Sequence, residues 1–298
     1  MKILLPTDGS EYSEASARFL GRLQLSGNDE IYVLHVVGDD PFQDKEDYYY
    51  VKIRETKQMI APKIIDSALH VLKSVPARIN TLLMNGYPDK CIVDAAVTSN
   101  CDLIIMGPKR LKGVTSRIVG SVTKSVSIMS PKPVLVIKPS QAGPSERIKI
   151  LFATDGSEYA RKAGETLALI PFHDDTEITV LHVVAPAFYD IPDKFMAKID
   201  ENVREDLNRH SSAEINESKR VIEQTVQNLG SKFRETVRLT RTGDPSDEIL
   251  TAAKELNADI IVVGSKGMGG FRGVVGSISR YILSVADCSV LIGKTAAI

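Results

Sequence analysis

The feature that most constrains what this chain can fold into is that it repeats itself. Leu5-Pro6-Thr7-Asp8-Gly9-Ser10-Glu11-Tyr12 recurs as Phe152-Ala153-Thr154-Asp155-Gly156-Ser157-Glu158-Tyr159, an offset of 147 from Leu5 to Phe152. Leu34-His35-Val36-Val37 recurs at the same offset as Leu181-His182-Val183-Val184. Gly86-Tyr87-Pro88-Asp89 then answers Gly243-Asp244-Pro245-Ser246, and the run Asp102 to Gly107 answers Asp259 to Gly264, both at an offset of 157. The second copy therefore carries ten more residues (157 against 147) between its second strand and its glycine turn. A chain of 298 residues gives each copy room for its own core. The expected division is a first domain over 1–139, a Pro-, Ser- and Gly-rich linker over 140–147 and a second domain over 148–298.

Within each copy short apolar runs alternate with helical patterns, which predicts βαβ units around a parallel sheet. In the first copy the strands are expected at 2–6, 31–37, 78–84, 103–106 and 134–137. Several are apolar at consecutive positions, as strands covered by helices on both faces must be. Tyr12, Ala15, Phe19, Leu20 and Leu23 recur at helical spacing behind Ser10, a suitable N-cap. In the second copy Asp244-Pro245 is a stronger helix start, with Ile249, Leu250, Ala253 and Leu256 as the expected buried stripe. The stretches 39–75 and 186–229 are long, charged and helical in their later parts. Tyr48-Tyr49-Tyr50 in the first of them is read as rings packed on the domain surface rather than as a stacking site.

Composition excludes several classes. A formal net charge of -1 gives no basic excess for nucleic acid or an anionic membrane. No apolar run reaches the roughly 18–20 residues of a bilayer span. The opening MKILLPTDGS meets Asp8 too soon for a signal peptide, so a cytoplasmic location is expected. Cys91, Cys101 and Cys288 form no CxxC pair and are read as small buried hydrophobes. His35 and His182, inside apolar strands, read as core histidines, and no Cys/His cluster suggests a metal. Gly293-Lys294-Thr295 imitates the end of a P-loop, but no helix can follow it to receive a phosphate. No Gly-x-Ser-x-Gly occurs and no Ser–His–Asp order stands out, so a hydrolase lacks support.

Ligands of an open parallel sheet bind beyond the carboxyl ends of its strands. There the chain places Asp8 and Asp155 after the first strand, Val36 and Val183 at the second, and Gly107 and Gly264 after the fourth. Gly264 opens a glycine-rich loop that reaches Gly276-Ser277 and then an apolar-periodic helix containing Ile278, Ile282 and Val285. Such a loop lets backbone N–H groups approach an anion, and the helix start favours phosphate. Ser277 can cap that helix or donate its hydroxyl to the phosphate.

On these residues both copies resemble the universal stress protein domain over nearly the whole chain. Its nucleotide-binding members carry Gly-x2-Gly-x9-Gly-[Ser/Thr] after the fourth strand and an Asp after the first. The resemblance implies two Rossmann-like α/β domains of the adenine nucleotide alpha hydrolase type, each a five-stranded parallel sheet with helices on both faces. It also implies ATP, with Mg²⁺, held by backbone groups. Carried over to the second copy, Asp155 holds the ribose end while Ala153, Thr154 and Val183 frame the adenine. Val263, Gly264 and Gly267 line the phosphate path, and Gly276, Ser277 and Ile278 bind phosphates. The first copy's counterparts are Pro6, Thr7, Asp8, Val36, Met106, Gly107, Gly120, Ser121 and Val122, with Arg110 at the second glycine position. Both copies depart from the pattern: Arg110 replaces a glycine in the first, and eight residues instead of nine separate Gly267 from Gly276 in the second. Glycines 269, 270 and 273 can absorb the shorter loop, so the second copy is expected to be the better site. Lys266 and Arg272 are expected to act as solvated screening charge.

The resemblance further implies that the last strands of the two copies pair, making an intramolecular pseudo-dimer, with a homodimer of chains as an addition. Three functions stay open: an ATP-binding regulatory protein of the stress response, a tandem scaffold for protein interaction whose sites no longer bind nucleotide, and a slow ATP-hydrolysing enzyme. The loop glycines favour the first, and the lack of an evident base or nucleophile disfavours the third.

Overall fold

The computed structural model describes residues 1–38, 48–108, 119–139, 147–185, 201–233, 235–267 and 275–295, with 201–213 as backbone alone. The first copy consists of β1 (Lys2–Pro6), α1 (Glu11–Leu20), β2 (Glu30–Gly38), α2 (Tyr48–Leu72), β3 (Arg78–Gly86), α3 (Pro88–Thr98), β4 (Leu103–Met106), α4 (Ser121–Met129) and β5 (Val134–Val136). The second consists of β6 (Lys149–Ala153), α5 (Glu158–Leu169), β7 (Glu177–Val184), α6 (Glu201–Leu229), β8 (Thr236–Thr242), α7 (Pro245–Glu255), β9 (Ile260–Gly264), α8 (Ser277–Val285) and β10 (Ser289–Gly293). All five strands expected in the first copy form. β2 gains a residue at each end, β3 runs two further and β5 stops one short.

The strands join in one ten-stranded sheet of order β3-β2-β1-β4-β5-β10-β9-β6-β7-β8. Every neighbouring pair is parallel except β5 with β10, which run antiparallel with Leu135 opposite Leu291. Each half thus reverses its winding once, between β1 and β4 and again between β6 and β9. Central strands β1, β4, β9 and β10 bury both faces, whereas the edge strands β3 and β8 are largely exposed. That is why the central strands read as unbroken apolar runs.

Alternate strand residues feed two cores. Ile3 and Leu5 pack with Ala17, Leu20 and Leu72 of α1 and α2, and in the same layer Phe152 packs with Ala163 and Leu229 of α5 and α6. Leu4 faces the other way, toward Ile92 and Val126 of α3 and α4, in a layer that continues to Ile249 and Ile282 of α7 and α8. Both layers run across the β5–β10 seam, and Gln24 N–H donates to Pro171 O at 2.7 Å across it. Cleavage within 140–146, which lie outside the described residues, is therefore expected to leave two halves associated at micromolar concentration. Two separate, folded monomers in analytical ultracentrifugation would contradict this.

Local signals explain the helix starts. Ser10 and Ser157 accept from Ser13 N–H and Ala160 N–H, and Asp244 accepts from Ser246 and Asp247 N–H ahead of Pro245. The α7 stripe packs inward as expected, although Leu250 and Leu256 are only partly buried and Ala252 belongs to it too. Of the three tyrosines, Tyr48 and Tyr49 are 81% and 64% exposed and Tyr50 is half-buried, and Tyr49 meets Tyr50 edge-on at 5.6 Å. Cys91 and Cys101 are buried and Cys288 is partly so. Burial pushes the Cys101 and Cys288 thiols up to about 11, which leaves almost no thiolate near neutral pH.

Candidate functional site

In an open parallel sheet a winding reversal leaves a crevice at the carboxyl ends of the strands. In the first copy it is an open cleft of about 100 Å³ between β1, β2, β4 and the starts of α1, α3 and α4. Seven of the residues singled out in this copy line it: Pro6, Thr7, Asp8, Val36, Met106, Gly107 and Val122. Gly120 and Ser121 stand at the adjoining start of α4, and Arg110 lies outside the described residues. Tyr12, Pro88 and Ile92 add apolar wall, and Ser10, Ser13 and Thr123 add hydroxyls. At about 100 Å³ the cleft is smaller than the roughly 300–1,000 Å³ of pockets that swallow a whole ligand, so it suits one ring with the remainder lying outside.

The turn after β1 is built to hold its carboxylate. Gly9 has φ +73, and a Cβ there would be strained as well as 3.3 Å from Ile64 Cγ1. Asp8 Oδ1 accepts from Ser10 N–H at 3.1 Å and from Ser10 Oγ at 2.5 Å, fixing the side chain at the mouth of the cleft. The second copy repeats this: Gly156 has φ +75, and Asp155 Oδ1 accepts from Ser157 N–H at 3.0 Å. His35 and His182 prove to be hinge pins of these turns. Their Nδ1 atoms lie 2.8 Å from Thr7 O and Thr154 O, and since a carbonyl only accepts, Nδ1 carries the proton.

Helix starts differ: α3 has Asp89 in its first turn but no side-chain bond from its N-cap, Tyr87. α1, α5 and α7 have side-chain caps and acidic residues in the first turn. α4 and α8 have neither: their N-caps are Gly120 and Gly276, which make no side-chain bond. Ser277 is thus the first helical residue and not the cap, since Gly276 already has the extended φ and ψ (-60, 158) of an N-cap. Their first-turn N–H groups and positive dipole ends are left facing the strand ends. One hydroxyl not foreseen from the sequence fixes each helix there. Thr123 Oγ1 donates to Gly107 O at 3.0 Å, and Ser279 Oγ donates to Gly264 O at 2.6 Å. Their signal was a hydroxyl residue three places after each of Gly120 and Gly276. Gly107 and Gly264 have a packing reason of their own: a Cβ would lie 2.5 Å from Tyr12 O and 2.8 Å from Ala160 N.

In the second copy Ala153 ends β6 and Thr154 and Asp155 follow it, Val183 is the last residue but one of β7, and Val263 and Gly264 end β9. Gly267 lies against the carboxylate, its Cβ position being 3.0 Å from Asp155 Oδ2, so only glycine passes without a shift. Gly276 N–H donates to Ser265 O at 2.7 Å, and Ser277 and Ile278 are exposed in the first turn of α8. Lys266 overturns its expected role as solvated charge. It is 9% exposed, with Nζ 5.3 Å from the ring centroid of Tyr159. Tyr159 is the counterpart of Tyr12, which lines the cleft of the first copy. The ammonium is sheltered by stacking over an aromatic face. Arg272 lies outside the described residues.

The fold defines a doubly wound α/β protein in which each half starts a helix on an uncapped glycine near its strand ends. Residues 1–138 and 147–294 each match the model of the universal stress protein family, so the chain belongs to that family. It is 27% identical over 154 residues to universal stress protein YxiE of Bacillus subtilis, covering 48% of this chain and 97% of that protein. It is 25% identical over 152 residues to universal stress protein MJ0577 of Methanocaldococcus jannaschii, covering 46% of this chain and 94% of the relative. These relatives are single copies. A universal stress protein from Archaeoglobus fulgidus shares the fold at full length, with a TM-score of 0.65, 22% identity, and coverage of 99% of this chain and 96% of that one.

Proposed function

We propose that this protein binds ATP at the strand-end crevices and works as a nucleotide-dependent regulator in the stress response. The observation that carries this reading is the contrast among helix starts. α4 and α8 lack both a side-chain cap and a first-turn acid, α1, α5 and α7 have both, and α3 has the acid Asp89 without a side-chain cap. A phosphate chain supplies the missing acceptors. Asp8 or Asp155 is suited to accept from ribose hydroxyls, and Val36, Met106 and Ile92 offer an apolar wall to the base. Among the described residues no group of three or more His, Cys, Asp and Glu could hold a metal ion. Mg²⁺ fits as a rider on the phosphates with water completing its shell, which is how it is commonly bound.

The two copies are not equivalent in this reading. The glycine pattern favours the second, but the strand ends of the first form an open cleft, and in the second Lys266 stands over the ring that matches Tyr12. The first copy is taken as the stronger site. The second either admits phosphate beside Lys266 or serves as a scaffold for the first. Mass spectrometry of small molecules released from freshly purified protein tests the reading. Adenine nucleotide near one per chain is expected; none released, together with no uptake of added ATP, would favour the scaffold.

A further inference from the structure

Each copy ends its last strand with a lysine that crosses to the other copy. Lys138, two residues after β5, donates from Nζ to Leu283 O at 2.8 Å and Ala286 O at 2.6 Å, the C-terminal end of α8. Its N–H also donates to Ser289 Oγ at 3.1 Å. Lys294, directly after β10, donates from Nζ to Ser127 O at 2.6 Å and Ile128 O at 3.3 Å, the C-terminal end of α4. Both lysines are buried, at 7% and 9% exposure. The exchange is reciprocal, and it is made twice by two different stretches of sequence.

The helices need what these lysines bring. The last turn of a helix leaves carbonyls without intrahelical partners at the negative end of the dipole. Neither α4 nor α8 has a basic residue in its own last turn, and neither ends in a left-handed glycine cap: Ser130 and Ala286 have ψ of 131 and 141. Each helix is nine residues long, roughly 13 Å, which is too short to hold its shape alone. Burial and the nearby Lys266 pull the Lys294 ammonium down to about 8, so this position carries a real desolvation cost.

We infer that Lys138 and Lys294 are positioning residues acting in trans, each anchoring in the other copy the helix whose opposite end faces the strand-end crevice. Lys294 holds α4 of the first copy, and Lys138 holds α8 of the second. The anchoring follows from the geometry; its effect on ligand rests on the phosphate reading proposed above. Each site is then fully ordered only while the two copies are paired, and ligand binding depends on a residue that never touches ligand.

The test uses the full chain with Lys138→Met and Lys294→Met. In hydrogen–deuterium exchange, Lys294→Met should speed exchange in the last turn of α4 by about tenfold and leave α8 unchanged, with Lys138→Met doing the reverse. ATP·Mg²⁺ is then titrated calorimetrically into each lysine variant in a Gly276→Val background, which leaves the first site, and in a Gly120→Val background, which leaves the second. Lys294→Met should weaken the first site about tenfold and not the second, and Lys138→Met the second and not the first. Arg at either position should restore most of the loss. Slowing or speeding both helices equally in either variant, or neither, would overturn the anchoring. Crossed exchange without crossed affinities would overturn the effect on ligand. If the unmodified protein takes up no ATP, the phosphate reading fails, and the exchange pattern alone still decides the anchoring.

Discussion

Gly293→Ala is expected to lower stability by about 3 kcal/mol, near the upper end of what one overpacked methyl costs. A Cβ at this position would lie 2.3 Å from Ala163 Cα, 2.4 Å from Ala163 Cβ and 2.8 Å from Ala163 N. These atoms belong to the backbone and first side-chain carbon of α5, so no rotamer change can make room. Either α5 or β10 must move, and β10 is paired on one side to β9 and on the other to β5. The strain therefore falls on the seam between the copies as well as on the layer that holds Ala163 and Phe152. For a domain of this size the expected fall in Tm is on the order of 6–12 °C. Gly27→Ala is the control: nothing lies within 4 Å of its Cβ position, and its effect should stay within about 0.5 kcal/mol. Equal melting temperatures for the two variants would show that α5 does not press on β10 as described.

Asp8→Ala is expected to weaken ATP binding roughly ten- to hundredfold, the range set by losing a hydrogen-bond acceptor that carries charge. Asp8 lines the open cleft, and its carboxylate is set by Ser10 before any ligand arrives. Asp155→Ala should have the smaller effect on total uptake, because its crevice already contains the Lys266 ammonium over Tyr159. Isothermal titration of both variants compares them directly. Loss of uptake in Asp155→Ala with uptake kept in Asp8→Ala would move the principal site to the second copy, where the glycine pattern had placed it.

What the sequence made legible, and what it did not, follows from the range of the interactions involved. β1 and β4 could be read to the residue because central parallel strands are apolar on both faces, and the starts of α1 and α7 because Ser10 and Asp244 cap within three residues of their own position. The Asp-Gly-Ser turns were readable for the same reason. Gly276 was harder: glycine serves as an N-cap without any side-chain signal, so the sequence offers Ser277 for that role instead. Lysines gave no local clue at all. Lys266 looked like loop charge and is buried over Tyr159, while Lys294 looked like part of a counterfeit phosphate loop and instead grips α4, 166 residues away at Ile128. Gly293 beside it looked equally idle, yet its lack of a side chain is what lets β10 lie against Ala163. Long, flexible side chains and close backbone approaches are decided by tertiary neighbours that no spacing rule in the sequence encodes.

The central claim is that the first turns of α4 and α8 receive the phosphates of bound nucleotide. A Cβ on Gly276 would meet Lys266 Cα at 3.4 Å and Ser265 O at 3.6 Å, ordinary contacts, and its φ of -60 suits any residue. Valine there should therefore leave the fold intact while its methyl groups stand over the N–H groups of the turn, and Gly120, at φ -64, has the same backbone form. The most direct measurement is calorimetric titration of ATP·Mg²⁺ into the unmodified protein and into the double variant Gly120→Val/Gly276→Val, with folding of both checked by circular dichroism. Saturable binding in the first and a loss of at least about a hundredfold in the second is the expected result, since both anion sites are blocked. A folded double variant that binds ATP as tightly as the unmodified protein would contradict it.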